Sequence, residues 1–272
     1  MVRLWNSNRT IKKGGKMILA FDIGNTHIVM GLYEGMKLIH HWRFDSKADR
    51  TVDDYGHLVL YMLERVSKVN NVKGVVIGSV APMLTYVFEK LSRRYFEVNP
   101  RLVDGKADLG ITYQVNSPPE FIGSDRIANA VAVRERYHEN CIVVDVGTAV
   151  TFDLISAQGA YLGGVIAPGI RTCAEALIER AAMLPRVEIE APAKVIGKDT
   201  KTMMQSGIFY GAICQIDGIV ERLKQEWDVG CKVIATGGFV SMLAKFSRQI
   251  DTVDPNLTLD GLRIAFDKLA KK

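Results

Sequence analysis

Two short runs in this sequence set a carboxylate just before a tight turn: Phe21-Asp22-Ile23-Gly24-Asn25-Thr26 and Val144-Asp145-Val146-Gly147-Thr148-Ala149. Each is preceded by an apolar run and followed by another, beginning Ile28-Val29 in the first case and Val150 in the second. The order is strand, acid, turn, strand. A β-hairpin whose turn carries glycine and short hydroxyl or amide side chains can bring backbone N–H groups against a phosphate, because no Cβ blocks the approach. The aspartate ending each incoming strand stands where a hydrated cation could bind. One such hairpin is equally an ordinary turn, since Asp, Gly and Asn are the residues turns use. Two copies heading two similar halves point instead to a paired phosphate site. A third turn, Ala235-Thr236-Gly237-Gly238-Phe239, has a glycine pair against which an adenosine could lie flat on the backbone. Alone it is what many strand-to-helix turns use; with the two hairpins it completes a nucleotide-binding set.

A separate cluster, Gly123-Ser124-Asp125-Arg126, pairs a carboxylate with a guanidinium. A carboxylate can take the proton of an attacking hydroxyl, and the planar arginine fork suits a carboxylate or a developing phosphate charge. The same residues also read as a helix start, with Ser124 as N-cap and Asp125 in the first turn. The two readings are compatible, because a helix N-terminus favours anions. His27 adjoins the first turn and is either a phosphate contact or a plain hairpin residue.

The elements that must hold these groups follow from periodicity. After the first hairpin, 37–44 reads as a third strand of a meander, and 52–69 has the apolar spacing of an amphipathic helix. A β-branched strand over 74–80 and a helix opening at Pro82 and running to 91 follow. Residues 104–122 read as a loop leading to a helix over 124–137. The plan then repeats: a hairpin over 141–155, a strand over 159–166, helices over 171–183 and 200–227, a strand over 232–235, and helices over 240–246 and 258–271. Helices against sheets that are antiparallel at one side and parallel further on make an α/β chain. The expected organisation is a leader over 1–16, a first lobe over 17–132 and a second over 133–272, with a hinge near 133.

Composition excludes several classes. Arg3, Arg9, Lys12, Lys13 and Lys16 carry the whole formal charge of +5, so the body is neutral and offers no basic stripe for a nucleic acid. The leader reads as a disordered tail or a start-site artefact. Asp22 interrupts the apolar run that follows it, which argues against a signal peptide, and no apolar stretch reaches the roughly 20 residues of a membrane span. The four cysteines form no CxxC and the five histidines no HxxxH pair, so reduced thiols, a cytoplasmic setting and no zinc are expected.

The three-turn pattern resembles the acetate kinase, sugar kinase, Hsp70 and actin superfamily. With Gly163-Gly164-Val165-Ile166-Ala167-Pro168-Gly169 and Gly197-Lys198-Asp199-Thr200 added, the chain from 17 to about 266 resembles the type III pantothenate kinases. The resemblance implies a two-lobed actin-like ATPase (ribonuclease H-like) α/β fold, with duplicated mixed-sheet domains and an interlobe cleft. It implies ATP-dependent phosphorylation of the pantothenate 4′-hydroxyl, the first step of coenzyme A synthesis, by a homodimer using a divalent metal and a monovalent cation, potassium or ammonium. Carried onto this chain, Asp125 is the base and Arg126, within Gly123, Ser124, Asp125 and Arg126, binds substrate. Asp145 holds the monovalent cation and Thr148 meets ATP, as do residues 22–29 and Gly237 and Gly238. The resemblance also has Thr200 reach pantothenate from one side of the dimer interface, and by its own chemistry Asp22 suits a hydrated magnesium, which keeps several waters. Many members carry a tyrosine seven residues before the GxDR glycine; here that position is Asn116, with Tyr113 just upstream. Val150 stands where the family's usual run has a threonine. Asp153 and Asp217 read as structural acids.

Overall fold

The computed structural model describes residues 16–66, 71–181 and 184–270; apart from Lys16, the expected leader lies outside the described residues. The first half runs β1 (Met17–Ile23), β2 (His27–Glu34), β3 (Lys37–Asp45), α1 (Val52–Glu64), β4 (Val72–Ser79), α2 (Pro82–Phe96) and β5 (Arg101–Val103). The second runs β7 (Cys141–Val146), β8 (Ala149–Ile155), β9 (Ala160–Pro168), α4 (Ile170–Arg180), α5 (Thr200–Trp227), β10 (Lys232–Thr236), α6 (Val240–Leu243) and β11 (Thr252–Val253). Between them lie β6 (Thr112–Tyr113) and α3 (Ser124–Arg136), and α7 (Leu257–Lys268) closes the chain.

The two sheets repeat one design. The first has the order β3-β2-β1-β4-β5, and the second β11-β10-β7-β8-β9-β6. In each, a three-stranded antiparallel meander continues into parallel strands on the far side of its first strand. The register places Asp22 opposite Val29 in one hairpin and Asp145 opposite Thr151 in the other. Both acids therefore emerge at the same end of equivalent strands, beside the turns.

Apolar packing forms three layers of core. One face of the first sheet buries Phe21, Ile23 and Met30 against α1 and α2, with Phe21 and Phe88 edge to face at 4.9 Å. One face of the second buries Val144, Val146 and Phe152 against α4 and α5. Between the sheets, α3 and α7 fill the remaining space: Ala128, Val131, Leu262 and Ala265 meet Ala20 and Val76 on one side, and Val143 and Ile234 on the other. The helices approach so closely that a Cβ on Gly261 would strike the Ala128 carbonyl. Small residues at this crossing permit it.

The boundary expected near 133 falls inside α3, where Ala132 and Val133 are fully buried. The loop expected over 104–122 contributes β6, too short to show a period, which pairs in parallel with Ala160 and Tyr161 of β9. The helix expected to 69 ends at Glu64, and the one expected to 91 continues to Phe96, where Glu97 adopts the left-handed conformation and bonds Ser92. Of the helix expected over 171–183, residues 182 and 183 lie outside the described residues. Among the described residues no helix is long and apolar enough to cross a membrane.

Candidate active site

The two acidic hairpins meet tip to tip. Gly24 N–H closes the first turn on the His27 carbonyl at 3.0 Å, and Ser46, at the end of β3, braces it from its hydroxyl to the Gly24 carbonyl at 2.6 Å. In the second turn Gly147 N–H bonds the Ala149 carbonyl at 2.9 Å, while Gly169 N–H and the Thr172 hydroxyl both bond the Thr148 carbonyl. The exposed hydroxyls of Thr26 and Thr148 then lie 2.9 Å apart. Each glycine N–H closes its own turn, which leaves the N–H groups and side chains of Asn25, Thr26 and Thr148 at the rim as donors for an anion.

Three half-buried carboxylates surround that rim. Asp22 comes from β1, Asp145 from β7 and Asp125 from the first turn of α3. Burial pushes the Asp22 carboxyl well above the usual carboxylate range, the charges of Asp125 and Asp145 push it further, and Arg43 opposes them. Asp145 is raised to about 7, first by burial and then by Asp125, against a hydrogen bond from Asn129. Burial also raises Asp125, and the Arg126 N–H, 2.8 Å from its Oδ1, opposes the shift. Repulsion within this cluster is what a bound cation would relieve. Among the described residues no set of three or more Cys, His, Asp or Glu side chains forms a metal cage. One or two carboxylates completed by water and substrate phosphates is the donor set magnesium ordinarily takes, so these residues fit such an ion.

This electrostatics gives a stability prediction. A carboxyl protonated in the fold up to about pH 7, but ionised at an ordinary carboxylate pH once unfolded, loses stability as pH rises between those values. The penalty is absent below that window and complete above it. Asp145→Asn is expected to raise the melting temperature of ligand-free protein by roughly 5 °C at pH 8, at about 2–4 °C per kcal/mol, and to change it little at pH 4. An equal or lower melting temperature at pH 8 contradicts the repulsion.

The supporting residues come from the middle layer. Asn129, fully buried, donates to Asp145 Oδ2 at 3.3 Å and accepts the Thr258 hydroxyl at 2.8 Å, so α7 fixes the amide that α3 offers to the cleft. Arg126 is held by Asp153, whose Oδ1 accepts from Nε at 2.8 Å and lies 2.6 Å from a second guanidinium nitrogen. The Tyr161 hydroxyl donates to the same oxygen at 2.7 Å. Asp153, read from the sequence as structural, therefore positions Arg126. Asp217 does bind locally, to Ser247 and the Arg248 N–H. A further correction concerns the helix start: Gly123 is the N-cap, and Ser124 is the first helical residue, its buried hydroxyl without a partner among the described residues. A Cβ on Gly123 would strike the Asp125 carboxylate curled back over it.

The glycine pair serves the protein directly. Gly237 adopts φ +98°, and a Cβ there would fall 2.6 Å from Asp145 Oδ1, so its bareness admits the second hairpin. Gly238 is exposed and faces Arg43. His27 has its pKa lowered by burial and by Arg43 and Arg171, which keeps the ring neutral beside the turn. Ile23 and Ile28 are buried strand residues flanking the first turn, and Val29 is half-buried. Thr200 opens α5 behind the Asp199 cap, exposed, and no hydrogen bond joins it to the acids. Asn116 is exposed beyond β6. Tyr113 is half-buried, its ring centre 6.3 Å from that of Tyr161, and burial raises its hydroxyl to about 12. That hydroxyl has no partner among the described residues.

Sequence reasoning missed Asn129, Thr258 and Arg43. Asn129 had a signal, a polar residue four places after Asp125 on a helix and hence on the same face. Thr258 and Arg43 had none, because both act across the fold.

Residues 18–222 match the family model for type III pantothenate kinase. The type III pantothenate kinase of an Exiguobacterium species is 44% identical over 257 residues, covering 94% of this chain and 100% of that protein. That of Citrifermentans bemidjiense is 44% identical over 254 residues, covering 93% and 99%. Among solved structures, the ROK hexokinase of Thermus thermophilus superposes with a TM-score of 0.53 at 12% identity, covering 94% of this chain and 99% of that one. That likeness is one of fold, the actin-like ATPase fold of sugar kinases.

Proposed function

The chain belongs to the type III pantothenate kinases, and from that premise we propose how its cleft transfers a phosphoryl group from ATP to pantothenate in coenzyme A biosynthesis. The observation that carries the reading is the convergence of Asp22, Asp125 and Asp145, from three elements, on the point where Thr26 and Thr148 meet.

Phosphoryl transfer through a loose transition state needs in-line positioning, charge neutralisation and a proton acceptor more than covalent chemistry. Asn25, Thr26 and Thr148 supply hydroxyl, amide and N–H donors to the polyphosphate. Asp125 accepts the 4′-hydroxyl proton as attack develops; burial makes it a stronger base than an ordinary carboxylate once ionised. Arg126, gripped on one edge by Asp153, keeps the rest of its fork for the pantothenate carboxylate. Asp145 would hold a monovalent cation and Asp22 a hydrated magnesium, and these ions supply neutralisation of phosphate charge. The unpartnered Tyr113 hydroxyl, beside Tyr161, is a better placed substrate donor than the exposed Asn116. Thr200 contributes to pantothenate binding at the interface of a homodimer. A cytoplasmic location fits an enzyme that draws on ATP.

The direct test is purified protein with ATP, magnesium, potassium and pantothenate, following ADP release and product mass together. Formation of a phosphorylated pantothenate at the rate of ADP release supports the reading; ADP release without it opposes it. Replacing potassium by sodium at constant ionic strength is expected to lower kcat/KM about tenfold, a difference of roughly 1.4 kcal/mol. Equal rates in both salts remove the cation from Asp145.

A further inference from the structure

ATP brings several negative charges into a cleft already walled by three carboxylates, so a guanidinium or ammonium group facing it adds to the neutralisation that bound cations supply. Arg126 is already ion-paired with Asp153. The positive charges felt at His27, beside the first turn, are opposed by Asp45 and belong to Arg43 and Arg171. Neither forms an ion pair or hydrogen bond among the described residues; Arg171 only stands over the Phe239 ring, 5.5 Å from its centre.

Arg43 is the more telling of the two. It lies on β3, an edge strand, opposite Val29 of β2. An edge-strand cation is ordinarily a solvated guard against sheet extension. This one reaches instead to the other sheet: a Cβ on Gly238, in the turn after β10, would lie 2.5 Å from an Arg43 terminal nitrogen. Its positive charge also acts on both Asp22 and Asp145, one from each hairpin. A single side chain thus spans the mouth of the cleft, near both phosphate turns and the nucleotide glycines, with its donors uncommitted.

We propose that Arg43 is a ligand of the ATP polyphosphate, reaching from the first sheet to the Gly237-Gly238 turn of the second, and that Gly238 is bare to admit it. The inference rests on the reading of the cleft as a kinase site and adds to it a residue outside the three turns and the GxDR segment. The planar fork offers two parallel N–H donors in a fixed geometry that matches two phosphate oxygens, which the rotatable donors of an ammonium do not. It also ties the two sheets together through the nucleotide.

The test is ATP affinity, measured by calorimetric titration with magnesium at fixed ionic strength, for wild type, Arg43→Ala, Arg43→Lys and Gly238→Ala. Arg43→Ala is expected to weaken ATP binding at least tenfold, Arg43→Lys to recover part of the loss, and Gly238→Ala to weaken binding by displacing the guanidinium. The KM for pantothenate should change less than twofold. The ligand-free melting temperature of Arg43→Ala should fall slightly at neutral pH, because the charge that offsets Asp22 and Asp145 is lost, and its rise on adding ATP should be largely lost. A merely structural arginine would lower the ligand-free melting temperature and leave the ATP-induced rise intact. Arg43→Ala that binds ATP within twofold of wild type overturns the proposal, and if that variant fails to fold, Arg43→Lys with wild-type affinity does so. Wild-type protein that binds ATP but makes no phosphorylated pantothenate refutes the reaction assigned above and leaves the arginine comparison intact. Wild-type protein that binds no ATP overturns both.

Discussion

Asp125→Asn is expected to remain folded and to bind ATP and pantothenate within a few-fold of wild type, while kcat falls by about 10²–10⁴, the usual worth of a positioned general base. The substitution keeps the shape of the side chain and its amide oxygen can still accept the Arg126 N–H, so the first turn of α3 is preserved. What it removes is proton acceptance from the attacking hydroxyl. It also removes one of three mutually repelling charges, so the loss cannot be ascribed to a weakened fold; the ligand-free melting temperature should hold or rise above neutral pH. Steady-state kinetics for both substrates read the split between kcat and KM. A kcat within threefold of wild type assigns the proton elsewhere.

The second large effect is expected at Asp153. Its carboxylate is fully buried and anchors Arg126, whose side chain is only 15% exposed, while accepting the Tyr161 hydroxyl. Asp153→Ala leaves a mostly buried guanidinium without its counter-charge and a buried phenol without its acceptor. Breaking a buried pair from one side costs about 3–5 kcal/mol. A marked fall in the denaturation midpoint is expected, together with a raised KM for pantothenate, because Arg126 is no longer aimed. The KM for ATP should move little. Asp153→Asn, which keeps the acceptor oxygen, should recover part of the stability but not the pantothenate affinity. If both variants bind pantothenate as wild type does, Arg126 is not positioned by this acid.

How far the sequence could be read depended on the range over which each residue acts. Both hairpins, the glycine turn and α5 were legible because local periodicity and turn chemistry determine them; α5 spans the residues expected. The acids of the cleft were legible because each sits at a fixed offset from its own turn. The middle layer was not. Ile127 to Val133, apolar but for Asn129, marks a buried helix without saying what covers it, and nothing near Leu257 signals that the last helix packs at the centre of the molecule. Residues whose partners lie across that layer stayed hidden for the same reason. Thr258 meets Asn129, Asp153 meets Arg126, and Arg43 meets Gly238, each pair joined only by folding. Gly237 has a second reason to be bare that its own turn does not show: a Cβ there would meet the Asp145 carboxylate, brought alongside only by folding.

The most direct measurement is a crystal structure of the protein with pantothenate and a non-hydrolysable ATP analogue. The terminal phosphate is expected between the turns of Asn25 and Thr148, with the Asp125 carboxylate about 2.6–3.2 Å from the pantothenate 4′-hydroxyl, the reach of a general base. A nucleotide bound away from the two turns, or an Asp125 carboxylate directed away from that hydroxyl, contradicts the assignment.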